Sequence, residues 1–548
     1  MELTPSGYVD TFARDNLPPA DLWPDLEFTI DDVNYPDRLN AATTLIDDAV
    51  ARFGPERLAL FTPEGEEWTY GELLARSNQI ARVITEDCGI VPGNRVLLRA
   101  PNTPWIIAAW LGVLKAGGVV VTTMAMLREK EVDSLLELTQ PNLALVDHRF
   151  LDGFSGPAAS RGVEIIPIGS DADNDLTVRS GQKAESFDNV VTAADDVALL
   201  CPTSGTTGAP KATMHFHRDI LANADTFARH IVKVGPDDKC ACSAPLAFTF
   251  GLGALVVFPL YFGAASLVVE RATPLELAQY AHDSGVTILY TAPTAYRAII
   301  KAGRADLLSD LRLGVSAGEH LPQATWEAVH EATGLKLIDG IGGTEMLHVF
   351  ISAAGDDIKP GAVGKPVPGF RAVILDDDGN EAPDNTVGRL AVRGPLGCRY
   401  LNDERQRNYV VNGWNVTGDA FLRDDDGYFV YQARSDNMII SSGYNIGAPE
   451  VEIALNEHPD VVECAVVGKD DRERGALVTA FVVLREDAAE GKEKAREIQN
   501  FVKTQIAPYK YPREIRFVEA LPRNPSGKLQ HFKLRDALKA EAAPAVHA

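Results

Sequence analysis

The chain has 548 residues, 45% of them hydrophobic and 24% charged, a composition that excludes a disordered chain and supplies enough apolar material for a large core. Its length admits one large α/β unit with a smaller companion. Acidic residues outnumber basic ones by 77 to 52, for a net charge of −25, which argues against a nucleic-acid footprint or a polybasic membrane anchor but leaves room for a local cationic site.

The opening "MELTPSGYVDTFARDNLPP" carries early acids and no apolar centre, so it does not read as a signal peptide. The longest apolar runs, such as "GALVVFPLYFG", are broken by Gly and Pro well short of the roughly 20 residues a membrane helix needs. Six cysteines, Cys88, Cys201, Cys240, Cys242, Cys398 and Cys464, lack the even framework of a secreted domain and suit a reducing, cytoplasmic compartment. Cys240 and Cys242 form C-x-C without a second pair or a histidine cluster nearby, which reads as buried thiols rather than a metal site.

In chain order, "RVLLRA" (95–100) predicts a short buried strand, "TPWIIAAWLGVLKAGG" an apolar helix closed by glycines, and "VVVTT" the next strand. This is a βαβ unit. Its echoes at "ASLVVE", "PLELAQYAHDSG", "VTILYTAP" and "LRLGVSAGE", with a helix opening at Pro322, predict largely parallel α/β sheets whose ligand sites lie at the carboxyl ends of strands. The acidic stretch 169–195 reads as a surface excursion before the strand "VALLCPTS". From about 363 the texture shifts to short β segments, "AVILDDDGNEAP", "GRLAVRG" and "GYFVYQARSDNMIISS", a β-rich subdomain. A compact α+β end follows, with helices at "EVEIALNEHP" and "KEKAREIQNFVKTQI" and strands at "VVECAVVG" and "LVTAFVVL".

The run "TSGTTGAPK", Thr203 to Lys211, carries the first chemistry. Gly205 and Gly208 let backbone N–H groups approach an anion, Ser204, Thr206 and Thr207 add hydroxyl donors, and Lys211 adds positive charge. Together they make a phosphate cradle, although G-x-x-x-x-G-K-[ST] does not fit here.

This run resembles the signature of the adenylate-forming superfamily, which includes acyl-CoA synthetases, luciferases and peptide-synthetase adenylation domains. Four further stretches resemble family motifs in the family's order: "GIGGTEM" (340–346), "WNVTGD" (414–419), "ARSDNMIISSGYNIGAPEVE" (433–452) and "PRNPSGKLQ" (522–530). The opening "LALFTPEGEEWTYGELLARSNQIARVI" is similar too, so the likeness covers nearly the whole chain.

The resemblance implies an AMP-binding domain over 1–435 and a small mobile domain over 436–548, hinged at Asp436. It implies ATP, Mg²⁺ and coenzyme A as participants, and a small carboxylic acid as substrate. Thr344 and Glu345 would hold phosphate and Mg²⁺, and Lys528 would contact the α-phosphate and the carboxylate. Asp419 would accept the ribose hydroxyls, Arg434 would reach the ribose region, and Ala317, Gly318 and Glu319 with Asp339, Gly340 and Ile341 would line the adenine. Ser442, Gly443 and Tyr444 would form the coenzyme loop, with Gly443 letting the pantetheine arm pass. Ile341 stands where the family usually has an aromatic, and Asn437 where it often has a second acid. Either a solvated turn lysine at Lys528 or a surface pair at Arg434 is the duller reading of those residues.

For the acid itself, "PLAFTFGLG" (245–253) and "GGTEMLHVF" (342–350) resemble benzoate-CoA and 2-aminobenzoate-CoA ligases. Thr249, Phe250, Gly251, Gly318 and His348 match pocket positions there, and Thr249, in place of a smaller residue, hints at tolerance of an amino or hydroxyl ring substituent. Phe248 and Phe250 as ordinary core, and His348 as a core histidine, are the alternatives. The expected activity is an aromatic carboxylate-CoA ligase; a medium-chain or other acyl-CoA ligase and a loader of a carrier protein are the alternatives, a homodimer stays open, and the presence of Lys211, Glu345, Asp419 and Lys528 disfavours a non-catalytic nucleotide sensor.

Overall fold

The computed structural model describes residues 3–204, 210–376, 378–434, 438–522, 529 and 531–542. By internal contacts the chain divides into two compact units, the larger comprising Met1–Ala125, Leu136–Thr203 and Lys211–Ser435 and the smaller mainly Asp436–Ala548. Among the described residues no helix is long and apolar enough to cross a membrane.

The βαβ unit expected at the start is present. Strand Arg95–Arg99 leads into helix Pro104–Lys115, capped by the Thr103 side chain and opened by proline, and then into strand Val119–Thr123, parallel to the first. The helix is apolar around most of its circumference, and it is buried on every side. Its one charge, Lys115, is fully buried and donates to the Asp47 carboxylate at 2.5 Å and to Asn189 at 3.1 Å, as a buried cation must.

These strands belong to a six-stranded sheet in the order Glu164–Ile168, Leu143–Asp147, Arg95–Arg99, Val119–Thr123, Val197–Ser204, Pro210–Phe216. A nine-stranded sheet has a parallel centre, in which Leu313–Ser316 pairs with both Ile288–Thr291 and Ile338–Gly342, and antiparallel edges. One continuous core joins Val96 and Leu98 of the first sheet, Leu60 and Tyr290 of the second, and Phe421 of the β-rich subdomain. That subdomain is an antiparallel sheet of Arg371–Leu375, Gly388–Arg393, Val410–Val411, Trp414–Arg423 and Phe429–Arg434.

The small unit has its own core, in which Val451, Val466, Ala480 and Val502 pack helices Ala448–Asn456 and Lys492–Gln505 onto a sheet centred on Gly475–Leu484. The three-part architecture expected from the sequence is therefore the one observed.

Two expectations are corrected. The acidic stretch 169–195 is not all surface: Asp175 is fully buried and its carboxylate accepts the backbone N–H groups of Gly169, Ser170 and Thr177, docking helix Leu176–Ser180 through a fully buried Leu176. One carboxylate that satisfies three backbone donors lets a polar stretch enter the protein. The helix expected to open at Pro322 begins at Gln323, with Pro322 in the cap position. Cys240 and Cys242 are buried free thiols, each pushed above the ordinary thiol range by burial.

Candidate active site

In the sequence the glycine-rich run follows strand Val197–Ser204 and precedes strand Pro210–Phe216, two strands at the edge of the six-stranded sheet. Gly205, Thr206, Thr207 and Gly208 fall outside the described residues, and Ser204 is placed as the last residue of its strand. Thr203 is half-buried, and among the described residues its buried hydroxyl has no hydrogen-bond partner, which suits a group awaiting an anion.

Strand alternation puts Lys211, Thr213 and His215 on one face. That face meets the turn bearing Thr344 and Glu345. The turn joins parallel strand Ile338–Gly342 to its antiparallel neighbour Val349–Ser352, and it is forced to be tight. Leu347 adopts φ +60°, and a Cβ on Gly342 would lie 2.4 Å from the His348 carbonyl oxygen, so only glycine fits there. The result holds Thr344 and Glu345 just beyond the carboxyl end of a parallel strand, where open α/β sheets keep their ligands.

Lys211 Nζ lies 3.1 Å from Glu345 Oε1 and also contacts the Tyr400 hydroxyl, which donates to the same oxygen at 2.6 Å. Burial alone would raise the Glu345 pKa, but Lys211 and Tyr400 outweigh it and hold the carboxyl at about 2. An ionised carboxylate is an oxygen donor whose chemistry fits Mg²⁺. On the other side of the turn, His215 Nε2 donates to the Thr344 carbonyl oxygen at 2.8 Å. Burial pushes the His215 imidazole down to about 4, so the ring is neutral near pH 7 and this bond assigns its proton to Nε2.

Tyr400 is delivered by a segment running antiparallel to Pro210–Phe216. Met214 N–H donates to the Arg399 carbonyl at 2.7 Å, and Leu401 N–H to that of Ala212 at 2.9 Å. Arg399 and Asp219, both fully buried, pair at 2.8 Å, with the Arg399 guanidinium 3.9 Å from the centre of the Phe216 ring.

The loops expected at the adenine end converge as well. Ser316 and Asp339 are register partners, so Ala317, Gly318 and Glu319 lie beside Asp339, Gly340 and Ile341 at adjacent strand ends. Gly318 adopts φ +87°, Glu319 accepts from the Thr294 hydroxyl at 3.1 Å, and Asp339 accepts the Gly340 N–H at 3.0 Å. His320, next along, stacks on Tyr431 at 5.1 Å, three residues before Arg434. Asp419, buried on strand Trp414–Arg423, is the register partner of Arg434.

His348 is 4% exposed and enclosed by the rings of Phe227, Phe250 and Phe258, at centroid distances of 5.4, 5.4 and 4.7 Å. Among the described residues neither of its ring nitrogens makes a hydrogen bond, and burial pushes the imidazole down to about 3, leaving it neutral. A Cβ on Gly253 would lie 2.5 Å from the His348 ring, and one on Gly251 2.3 Å from the Pro245 carbonyl oxygen, so both glycines are spacers. Thr249 is buried at the start of the short helix Thr249–Leu252.

In the small unit, Ser442 at φ +50° and Gly443 at φ +81° form the two-residue turn of a hairpin between Met438–Ser441 and Tyr444–Gly447. Arg474 braces it by donating to the Ser442 hydroxyl at 3.1 Å, and Tyr444 stacks on Tyr509 at 4.2 Å. Asp436 and Lys528 lie outside the described residues.

Sequence reasoning missed Tyr400, His215 and the Asp219–Arg399 pair. The alternation of polar residues at 211, 213 and 215 in an otherwise apolar strand carried a readable signal for His215; nothing local marked Tyr400.

A family profile described as "AMP-binding enzyme" matches residues 46–399, and one described as "AMP-binding enzyme C-terminal domain" matches 450–528. The benzoate–CoA ligase of Thauera aromatica is 34% identical over 92% of this chain and 97% of its own length. Among solved structures, the anthranilate CoA ligase AuaEII in complex with anthranoyl-AMP aligns at TM-score 0.72 and 31% identity, covering 94% of this chain and all of its own. A benzoate CoA ligase from Burkholderia xenovorans LB400 aligns at TM-score 0.68 and 31% identity, covering 91% of this chain and all of its own. With profile matches to both parts of the chain and a CoA ligase relative covered along nearly its whole length, this protein is a member of the AMP-binding, adenylate-forming superfamily, an acid–thiol ligase of the acyl-CoA synthetase type.

Proposed function

We propose that the protein is an ATP-dependent aromatic carboxylate-CoA ligase of the benzoate or 2-aminobenzoate type. The acid's carboxylate oxygen attacks the α-phosphorus of ATP and pyrophosphate leaves, giving acyl-AMP. The coenzyme A thiolate then attacks the acyl carbon and AMP leaves with the bonding electrons.

Thr203, the glycine-rich loop and Lys211 neutralise the β- and γ-phosphates, and Asp419 with Arg434 holds the ribose. Ala317 to Glu319 and Asp339 to Ile341 line the adenine. Glu345 and Thr344 would hold Mg²⁺, which supplies charge neutralisation on the phosphate oxygens when bound. Lys528 reaches the α-phosphate and carboxylate in the first half-reaction. Rotation of residues 436–548 at Asp436 then exchanges it for the loop of Ser442, Gly443 and Tyr444.

The observation that carries the aromatic assignment is the enclosure of His348 by the rings of Phe227, Phe250 and Phe258, with Gly253 as a spacer against the His348 ring. Aromatic on three sides and, among the described residues, without a charged group, it suits an aryl ring better than a flexible chain. The test is AMP release with coenzyme A from benzoate, 2-aminobenzoate, phenylacetate and octanoate. The two benzoates should lead by kcat/KM, and a win for octanoate would overturn the aromatic assignment.

A further inference from the structure

We infer that Tyr400 is a positioning residue for Glu345, supplying a fixed side-chain hydrogen bond that keeps this carboxylate oriented when Lys211 turns to the polyphosphate. The inference rests on the adenylation chemistry proposed above.

Donor and acceptor roles around the hydroxyl are determined by chemistry. A lysine ammonium has only donors, so Tyr400 accepts from Lys211, and its single proton then goes to Glu345 Oε1, 2.6 Å away. Lys211 reaches the same oxygen directly at 3.1 Å. Two donors therefore converge on Oε1, and they differ in mobility. Lys211 is a flexible side chain at the end of the cradle, free to exchange a carboxylate for a phosphate oxygen. Tyr400 is fully buried, its ring lying 4.1 Å from the Lys211 ammonium.

Its backbone is held on both sides. The Tyr400 N–H donates to Gln406 Oε1 at 2.9 Å, and the Gln406 amide donates to the carbonyls of Cys398 and Leu22 at 3.0 and 2.9 Å. Neighbouring Arg399 is locked by Asp219 at 2.8 Å. The hydroxyl is thus a preorganised donor at a buried anion, the arrangement in which one hydrogen bond counts most. Without it, Lys211 would be drawn into a closed pair with Glu345 and withheld from the nucleotide, or would leave a buried carboxylate with one donor fewer.

Tyr400→Phe keeps the ring and its contact with the ammonium and removes only the hydroxyl. Calorimetric titration of the full chain with ATP and Mg²⁺ should show binding weakened about 10- to 100-fold, the size of one hydrogen bond to a charged group. AMP, which lacks the β- and γ-phosphates, should bind within twofold of the parent chain and so also reports an intact fold. In a Glu345→Gln background the same substitution should add less than twofold, because its target is gone. Tyr400→His, which restores a ring donor, should fall between the parent and Tyr400→Phe and provides a second reading if the phenylalanine variant is unstable. An unchanged ratio of ATP to AMP affinity in whichever variant folds would overturn the inference, as would equal losses for both nucleotides. A parent chain that binds no ATP would instead overturn the underlying adenylation reading.

Discussion

Glu345→Gln removes the carboxylate charge from the Lys211–Tyr400–Glu345 cluster while keeping its shape. The Glu345 carboxyl, ordinarily near 4.5, is held at about 2 in the folded chain, and its side chain is 15% exposed, so solvent screening discounts the effect little. At about 1.4 kcal/mol per pH unit, ionised Glu345 contributes about 3 kcal/mol to folding near pH 7. Because the folded value lies below the unfolded one, this contribution is complete above about pH 4.5 and declines as pH falls towards 2. At pH 3.5 it should have dropped to about 2 kcal/mol. Guanidinium unfolding of the parent and Glu345→Gln chains at pH 7 and pH 3.5 measures it, since the other titrating carboxylates cancel in the difference. The stability gap should be about 3 kcal/mol at pH 7 and narrow by about 1 kcal/mol at pH 3.5. A gap that is absent, or that stays constant with pH, would refute the claim that Lys211 and Tyr400 hold this carboxylate ionised.

Lys528→Ala should cut acyl-AMP formation by on the order of 10²–10³ while sparing thioester formation from supplied acyl-AMP; pyrophosphate and AMP release assays separate the two, and equal losses would remove Lys528 from the first half-reaction. Asp436→Pro should leave adenylation intact and block transfer to coenzyme A, so undiminished thioester formation would end the hinge proposal. Gly253→Ala places a methyl group 2.5 Å from the His348 ring on a helical backbone that accepts alanine, so its effect is steric. Its kcat/KM for benzoate should fall roughly tenfold, matching an overpacking cost of about 1–3 kcal/mol, with the KM for ATP nearly unchanged; a variant that turns over benzoate normally would show that the enclosure does not shape the aryl site.

The sequence by itself determined the alternation of strands and helices, the order of the five motifs and the β-rich turn into a small α+β end. Those are local properties, written in hydrophobic period, glycine placement and capping residues such as Thr103, and they survive into the fold with small shifts like the helix that starts at Gln323. Lys211 and Glu345 were legible because each lies in a dense run of chemically special residues. Asp175 was not, since nothing near it announces that its carboxylate will gather three backbone donors and carry an acidic stretch inward.

Tertiary structure alone decided which side chains meet. Lys211 and Tyr400 stand 189 residues apart, and Tyr400 and Glu345 stand 55 apart; their contact follows from the segment 399–401 lying antiparallel to Pro210–Phe216 and from the tight turn after Gly342. The ring enclosure around His348 likewise gathers residues from 227, 250 and 258. Such meetings depend on sheet order and register, set by the burial of whole faces rather than by any short run of residues, which is why the runs bearing Lys211 and Glu345 stood out in the sequence and Tyr400 did not.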